Sequence, residues 1–176
     1  MKFKPREYII LGIDTGTQIM GFGLIKGRGP NIEFLGVDEL LIQKSYNHNF
    51  KLKKIFEKSL EIIDRYIPDE LAIEEPFLGR NIQSMLKLSR AQGVAIAAAI
   101  YKNIPITAYS PRKIKISITG NGNSSKEQVI CMLKYILGGK KFTYRNLDAS
   151  DGLAAAVCHY INLNVYMRMR NPNTYF

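Results

Sequence analysis

Four acidic residues stand where a chain folded around a sheet could gather them: Asp14, Glu74, Asp148 and Asp151. Asp14 closes the apolar run Tyr8-Ile-Ile-Leu-Gly-Ile13, and Glu74 closes a shorter one, Leu71-Ala-Ile73. A side chain at a strand end can leave the sheet and face a cleft, so these two acids can converge. Asp148 and Asp151 open a helical pattern at i, i+3 spacing, which places both on one face. The small apolar run Leu153 to Val157 that follows lets such a helix lie close to a sheet and carry its acids toward the other two. Carboxylates crowded into one cleft repel each other, and no Lys or Arg stands immediately beside Asp14 or the Asp148/Asp151 pair. Divalent cations resolve that repulsion. Hard oxygen ligands with open positions suit Mg²⁺ or Mn²⁺, and two ions roughly 4 Å apart can activate a water and stabilise the leaving 3′ oxygen in phosphodiester cleavage.

Taken singly, three of the acids have plainer explanations. Asp14 serves equally as an Asx-turn residue before Gly16, Glu74 as a strand-end surface acid, and Asp148 as an N-cap. Asp151 differs, because an acid directly before Gly-Leu-Ala-Ala-Ala-Val lies near a packed face and needs a partner or a metal. Glu75 competes with Glu74. Strand alternation sends the two to opposite faces, so one of them should enter the site, but alternation alone does not say which. His159 lies about 12 Å along a helix from Asp151 at 1.5 Å per residue, too far to share an ion.

The charge balance agrees with a phosphate-bearing partner. Against 25 Lys+Arg stand 15 Asp+Glu, a net +10, and the chain without the four acids carries +14. A basic body around an acidic, metal-filled cleft is what a nuclease requires, with phosphate attraction outside and a Lewis acid inside. Cys131 and Cys158 lack zinc or disulfide spacing, which fits a reducing cytoplasm. The N-terminal apolar run is too short for a signal sequence or a membrane span, so a soluble, cytoplasmic, non-secreted protein is expected.

The elements that must position these residues follow from periodicity. Tyr8 to Ile13, Ile19 to Lys26 and Ile32 to Ile42 read as three consecutive strands, with Gly16, Gly27 and Gly29 allowing the positive φ that short connections often need. Phe50 to Ile67 is an amphipathic helix stopped by Pro68. A strand at Leu71 to Ile73, an Ala-rich helix from Ile82 to Tyr101 and a strand at Ile106 to Tyr109 continue in α/β alternation. Lys113 to Thr119 forms a short helix or strand. Gly120-Asn-Gly-Asn-Ser-Ser125 is expected to be the most flexible loop, ending in an N-cap for the helix Lys126 to Leu137. The last helix is expected from Asp148 to Asn164. The whole is read as one domain over 1–176, with a flexible tail at 167–176.

Several ordered motifs then resemble the bacterial RuvC family of Holliday-junction resolvases. They are Leu-Gly-Ile-Asp14-Thr-Gly, Met20-Gly-Phe-Gly-Leu24, Ala72-Ile-Glu74-Glu-Pro-Phe77, Asn81 with Leu86-Lys-Leu88 and Arg90-Ala-Gln-Gly93, Ser125-Lys126-Glu-Gln-Val129, and Asp148-Ala-Ser-Asp151-Gly-Leu-Ala. The resemblance runs over nearly the whole chain. It implies an RNase H-like α/β fold, with a five-stranded mixed sheet flanked by helices on both faces. It also implies a Mg²⁺-dependent endonuclease, with Mn²⁺ as a substitute, that resolves four-way DNA junctions in homologous recombination and DNA repair. Asp14, Glu74, Asp148 and Asp151 become the catalytic, metal-binding acids, Asp14 between two ions, and Glu74 is selected over Glu75. Phe77 takes the place of an aromatic that contacts bases at the junction centre, although a Phe serves as readily in a core. Lys115 and Lys126 match residues that contact DNA near the scissile phosphate, and Arg80, Asn81 and Arg112 are further phosphate-contact candidates. A homodimer joined through the 81–101 helix is implied, and so are helicase partners that recognise the junction and drive branch migration. Thr15 departs from the family, where Pro commonly follows the first acid. Asp-Thr-Gly-Thr is also similar to the phosphate loop of actin-like and sugar kinases, which need two such domains and a second phosphate loop. A junction-binding protein that does not cut is the alternative from another class.

Overall fold

The computed structural model describes residues 6–16, 18–43, 45–76, 81–139 and 149–170. Asp148, Phe77 and Arg80, three of the expected site residues, lie outside them. The elements run β1 (Glu7–Asp14), β2 (Ile19–Arg28), β3 (Asn31–Leu41), α1 (His48–Tyr66), β4 (Glu70–Glu74), α2 (Ile82–Tyr101), β5 (Ile106–Tyr109), α3 (Pro111–Thr119), α4 (Lys126–Ile136) and α5 (Ala149–Arg170). The five strands form one mixed sheet in the order β3-β2-β1-β4-β5. The first three strands form an antiparallel meander, while β4 runs parallel to β1 and β5 parallel to β4. Short turns suffice for the meander, whereas each parallel step needs a crossover helix, and α1 and α2 supply them.

Helices cover both faces. Leu11, Ile13, Leu71 and Ile73 pack with Ile55, Ile62, Ala95 and Ala99 of α1 and α2. Ile10 and Ala72 pack on the other face with Ile114, Ile130, Leu133 and the Leu153–Tyr160 stretch of α3, α4 and α5. Strand alternation then carries Asp14 to the face of Ile10 and Gly12, and Glu74 to the face of Ala72. Both acids therefore point toward α5.

The approach of α5 is unusually close because glycine meets glycine. A Cβ on Gly12 would stand 1.9 Å from the Gly152 carbonyl oxygen, so any side chain there would push the helix off the sheet. The N-terminal turn of α5 is thereby held against the end of β1.

Several expectations are corrected. Of the turn glycines, only Gly29 takes positive φ, at 56°; Gly27 lies inside β2 under the Tyr160 ring, and Gly16 has no room for a Cβ beside the Ile19 carbonyl. Of the helix or strand expected at 113–119 the helix forms, beginning two residues earlier with Pro111 in its first turn and Ser110 as N-cap. The 120–125 loop is tied down rather than loose. The Thr119 Oγ1 lies 2.8 Å from the Lys115 carbonyl oxygen, 3.0 Å from that of Asn121 and 2.7 Å from the buried Ser124 hydroxyl. Ser125 and Gln128 form a full capping box for α4. The last helix continues past Asn164 to Arg170, since no Gly or Pro intervenes before Pro172.

Candidate active site

At the C-terminal edge of the sheet a cleft of about 330 Å³ is lined by Asp14, Glu74 and Asp151, with Lys115, Lys126 and an apolar wall that includes Ile114 and Val129. Each acid comes from a different element: the ends of β1 and β4 and the first turn of α5. Glu75 is exposed and does not line the cleft. Glu74 shares the face of Ala72, on which α5 packs, and this agrees with the choice of Glu74 that the family resemblance implied.

The electrostatics follow from crowding. Burial, then the charges of Asp14 and Asp151, push the Glu74 carboxyl up from 4.5 to about 7, while Lys115 and Lys126 pull it the other way. Lys126 reaches from the start of α4 to place its Nζ 2.7 Å from Asp151 Oδ2. The acids that lack a basic neighbour in sequence therefore gain cations from α3 and α4 in space. Asp151 lies at the first turn of α5, where the helix dipole also favours negative charge.

Among the described residues, no three acidic, histidine or cysteine side chains draw together closely enough to encircle an ion. The donor set still fits a hard divalent cation. Asp14, Glu74 and Asp151 bring carboxylate oxygens, the hard ligands such an ion takes, to the lining of one cleft.

Other expected residues divide. Lys115 and Lys126 line the cleft. Arg112 is exposed and lies outside the cleft lining, its stem against Gly122 of the α3–α4 loop. Asn81 caps α2, its Oδ1 accepting from the Ser84 amide at 3.1 Å. Thr15 is buried beside the site. His159 is a core residue, between the Tyr109 hydroxyl at 2.8 Å and Glu70 at 2.7 Å. Glu70 starts β4, roughly 13 Å along the strand from Glu74 at about 3.3 Å per residue, so His159 does not serve the cleft. Burial pushes the Tyr109 hydroxyl up to about 12, which keeps it protonated within this network.

Gln92 carries a role that sequence reading missed. It is 8% exposed, and its Nε2 donates to the Glu74 carbonyl at 2.8 Å, fixing the end of β4 from α2. A polar residue beside Ala91 on the buried side of an Ala-rich helix is the signal that could have found it.

A family model for crossover junction endodeoxyribonuclease RuvC matches residues 10–159. The chain belongs to the RuvC family. Similar RuvC proteins include that of Christiangramia forsetii, 60% identical over 156 residues that cover 89% of this chain and 81% of the relative. The RuvC of Bacteroides fragilis is 54% identical over 159 residues, covering 90% of this chain and 85% of the relative. Among solved structures, Thermus thermophilus RuvC in complex with Holliday junction substrate matches with a TM-score of 0.84 at 28% identity, over 90% of this chain and 96% of that one. The yeast mitochondrial Holliday junction resolvase Ydc2, at 14% identity and a TM-score of 0.57 over 90% of this chain and 83% of that one, shares the fold. The mixed sheet with helices on both faces is thus the RNase H-like architecture of RuvC. No helix among the described residues is long and apolar enough to cross a membrane.

Proposed function

We propose that this RuvC-family chain is a metal-dependent endonuclease that resolves four-way DNA junctions by hydrolysing phosphodiesters. The observation that carries the proposal is the convergence of Asp14, Glu74 and Asp151 with Lys115 and Lys126 in one cleft. Holliday junction substrate is bound by the related T. thermophilus RuvC. Asp14, Glu74 and Asp151 are the residues that would hold divalent ions, with Asp148 the expected fourth ligand outside the described residues. Mg²⁺ is the working ion in this reading, two per site, and Mn²⁺ a substitute. When bound, such an ion supplies Lewis acidity, lowering the pKa of a water and stabilising a leaving oxygen.

The chain's own groups do the rest. Lys115 and Lys126 attract the phosphate and offset the repulsion between it and the acids. Gln92 keeps the Glu74 backbone in register, so the carboxylate enters the cleft from a fixed strand end. The apolar wall of Ile114 and Val129 limits water at the cleft and strengthens every charge interaction inside it. Phe77, Arg80, Asn81 and Arg112 remain proposed DNA contacts.

A junction presents two equivalent strands, which suits a homodimer with two sites. Three of the small residues on α2, Ala95, Ala98 and Ala99, are buried in the chain's own core. Ala97 and Gly93 are exposed on the other side, in line with Ile82, Leu86 and Ile100. Among the described residues, a Cβ on Gly93 would touch nothing within 4 Å, so their packing does not require glycine there. A second copy docked on that stripe accounts for it. The junction-recognition and branch-migration helicases and a cytoplasmic location belong to the same proposal.

The test compares wild type with Asp14→Asn on a labelled four-way junction. Wild type should bind without metal and cut only with Mg²⁺ or Mn²⁺, and the variant should bind and not cut. A protein that binds the junction and never nicks it in either metal would be a junction-binding protein, and the enzyme reading would fail.

A further inference from the structure

A second cleft lies across the sheet edge from the carboxylates. It holds about 250 Å³ and is lined by Gly16, Ile42, His48, Lys51, Leu52, Ile55, Lys87 and Ala91. Two helix faces build it. His48, Lys51, Leu52 and Ile55 recur at helical spacing on α1, and Lys87 and Ala91 are one turn apart on α2. Ile42, Ile55 and Ala91 form a buried apolar floor. The rim is cationic: the lining includes Lys51 and Lys87, and the Arg90 guanidinium comes within 3.5 Å of His48 Nε2. Among the described residues, no acidic side chain lines it.

Position ties this cleft to the chemistry. Gly16 contributes to its wall and is separated from Asp14 by Thr15 alone, ~8 Å of chain at 3.8 Å per Cα step. The end of β1 and the residues after it therefore border both clefts, Asp14 lining one and Gly16 the other. An apolar floor with a cationic rim matches the two halves of a nucleotide, an unstacked base inside and its phosphate outside.

We infer that the α1–α2 cleft is a nucleotide-binding subsite that takes one unstacked base of the DNA strand next to the scissile phosphate. Its rim cations hold that nucleotide's phosphate, and its floor accepts the base. The inference rests on the nuclease reading above and adds to it a pocket that reads the strand outside the metal cleft.

The test uses the full chain and a labelled four-way junction in EDTA, so that binding is read apart from cleavage. Lys87→Met combined with Arg90→Met should weaken binding by roughly eightfold per lost phosphate contact at 0.1 M salt and flatten the salt dependence by about 0.9 per contact. A single abasic nucleotide is then walked through the positions flanking the scissile phosphate. Wild type should lose affinity at one position, and Ala91→Leu, which fills the floor, should lose none there. Leu52→Phe is the alternative filler should Ala91→Leu melt below the assay temperature. An unchanged salt slope in the Lys87/Arg90 variant overturns the inference, and so does the same abasic profile in wild type and filled variant. Wild type that neither binds nor cuts the junction defeats the nuclease reading and this one together. Wild type that binds and cuts normally, beside variants that match it, defeats the subsite alone.

Discussion

Replacing Glu74 by Gln should make the protein more stable at neutral pH in the absence of divalent metal. The folded state holds the Glu74 proton up to about 7, against an ordinary 4.5. Between those values the native chain binds a proton that the unfolded chain releases, so unfolding free energy falls as pH rises through the window and levels off above it. At about 1.4 kcal/mol per pH unit the ceiling is ~3 kcal/mol, and solvent screening of a partly exposed carboxyl lowers it to ~1–2 kcal/mol. Glutamine keeps the shape and cannot ionise, so the penalty disappears. For a chain of this size the gain corresponds to roughly 2–8 °C in melting temperature at pH 8, and to almost nothing near pH 4.5. Urea denaturation in EDTA from pH 4.5 to 8, read as the difference between wild type and variant, measures it. A difference that stays constant across this range, or a variant less stable at pH 8, would refute the reasoning that burial and two neighbouring acids crowd Glu74.

Three further outcomes follow from the same geometry. Lys126→Met should weaken junction binding and lower its salt slope by about 0.9, measured by fluorescence anisotropy between 50 and 200 mM salt; an unchanged slope would remove Lys126 from the DNA surface. Gln92→Leu should cost ~1–3 kcal/mol by orphaning the Glu74 carbonyl, and should slow cleavage more than it weakens binding; a wild-type cleavage rate would mean that β4 needs no pin. Leu86→Glu should leave the fold intact and turn a dimer into monomers in sedimentation, because it places a charge within the exposed α2 stripe; equal sedimentation of variant and wild type would move the interface elsewhere.

The sequence by itself determined the elements and the places of Asp14, Glu74 and Asp151 on them. Alternation and helical spacing are local properties, so the strands at 7–14 and 70–74 and the helix at 82–101 were legible to within a residue or two. The spacing of Asp148 and Asp151 and the strand-end positions of Asp14 and Glu74 marked a group of carboxylates before any contact was known. The length of the last helix and the order in the 120–125 loop were not legible. The loop's order comes from the Thr119 and Ser124 hydroxyls, and the extra turns after Asn164 from a stretch whose only local stop lies at Pro172.

Tertiary structure decided everything that depends on which face meets which. Alternation could say only that Glu74 and Glu75 part company; the family resemblance chose Glu74, and the packing of α5 over Ala72 supplies the physical reason that it enters the cleft. The sequence placed no cation beside the acids, because the cations arrive from α3 and α4: Lys126 is far from Asp151 along the chain, yet its Nζ lies 2.7 Å away. The backbone contact between Gly12 and Gly152 fixes how close that helix can come. Such contacts join residues distant in sequence, and local periodicity carries no information about them.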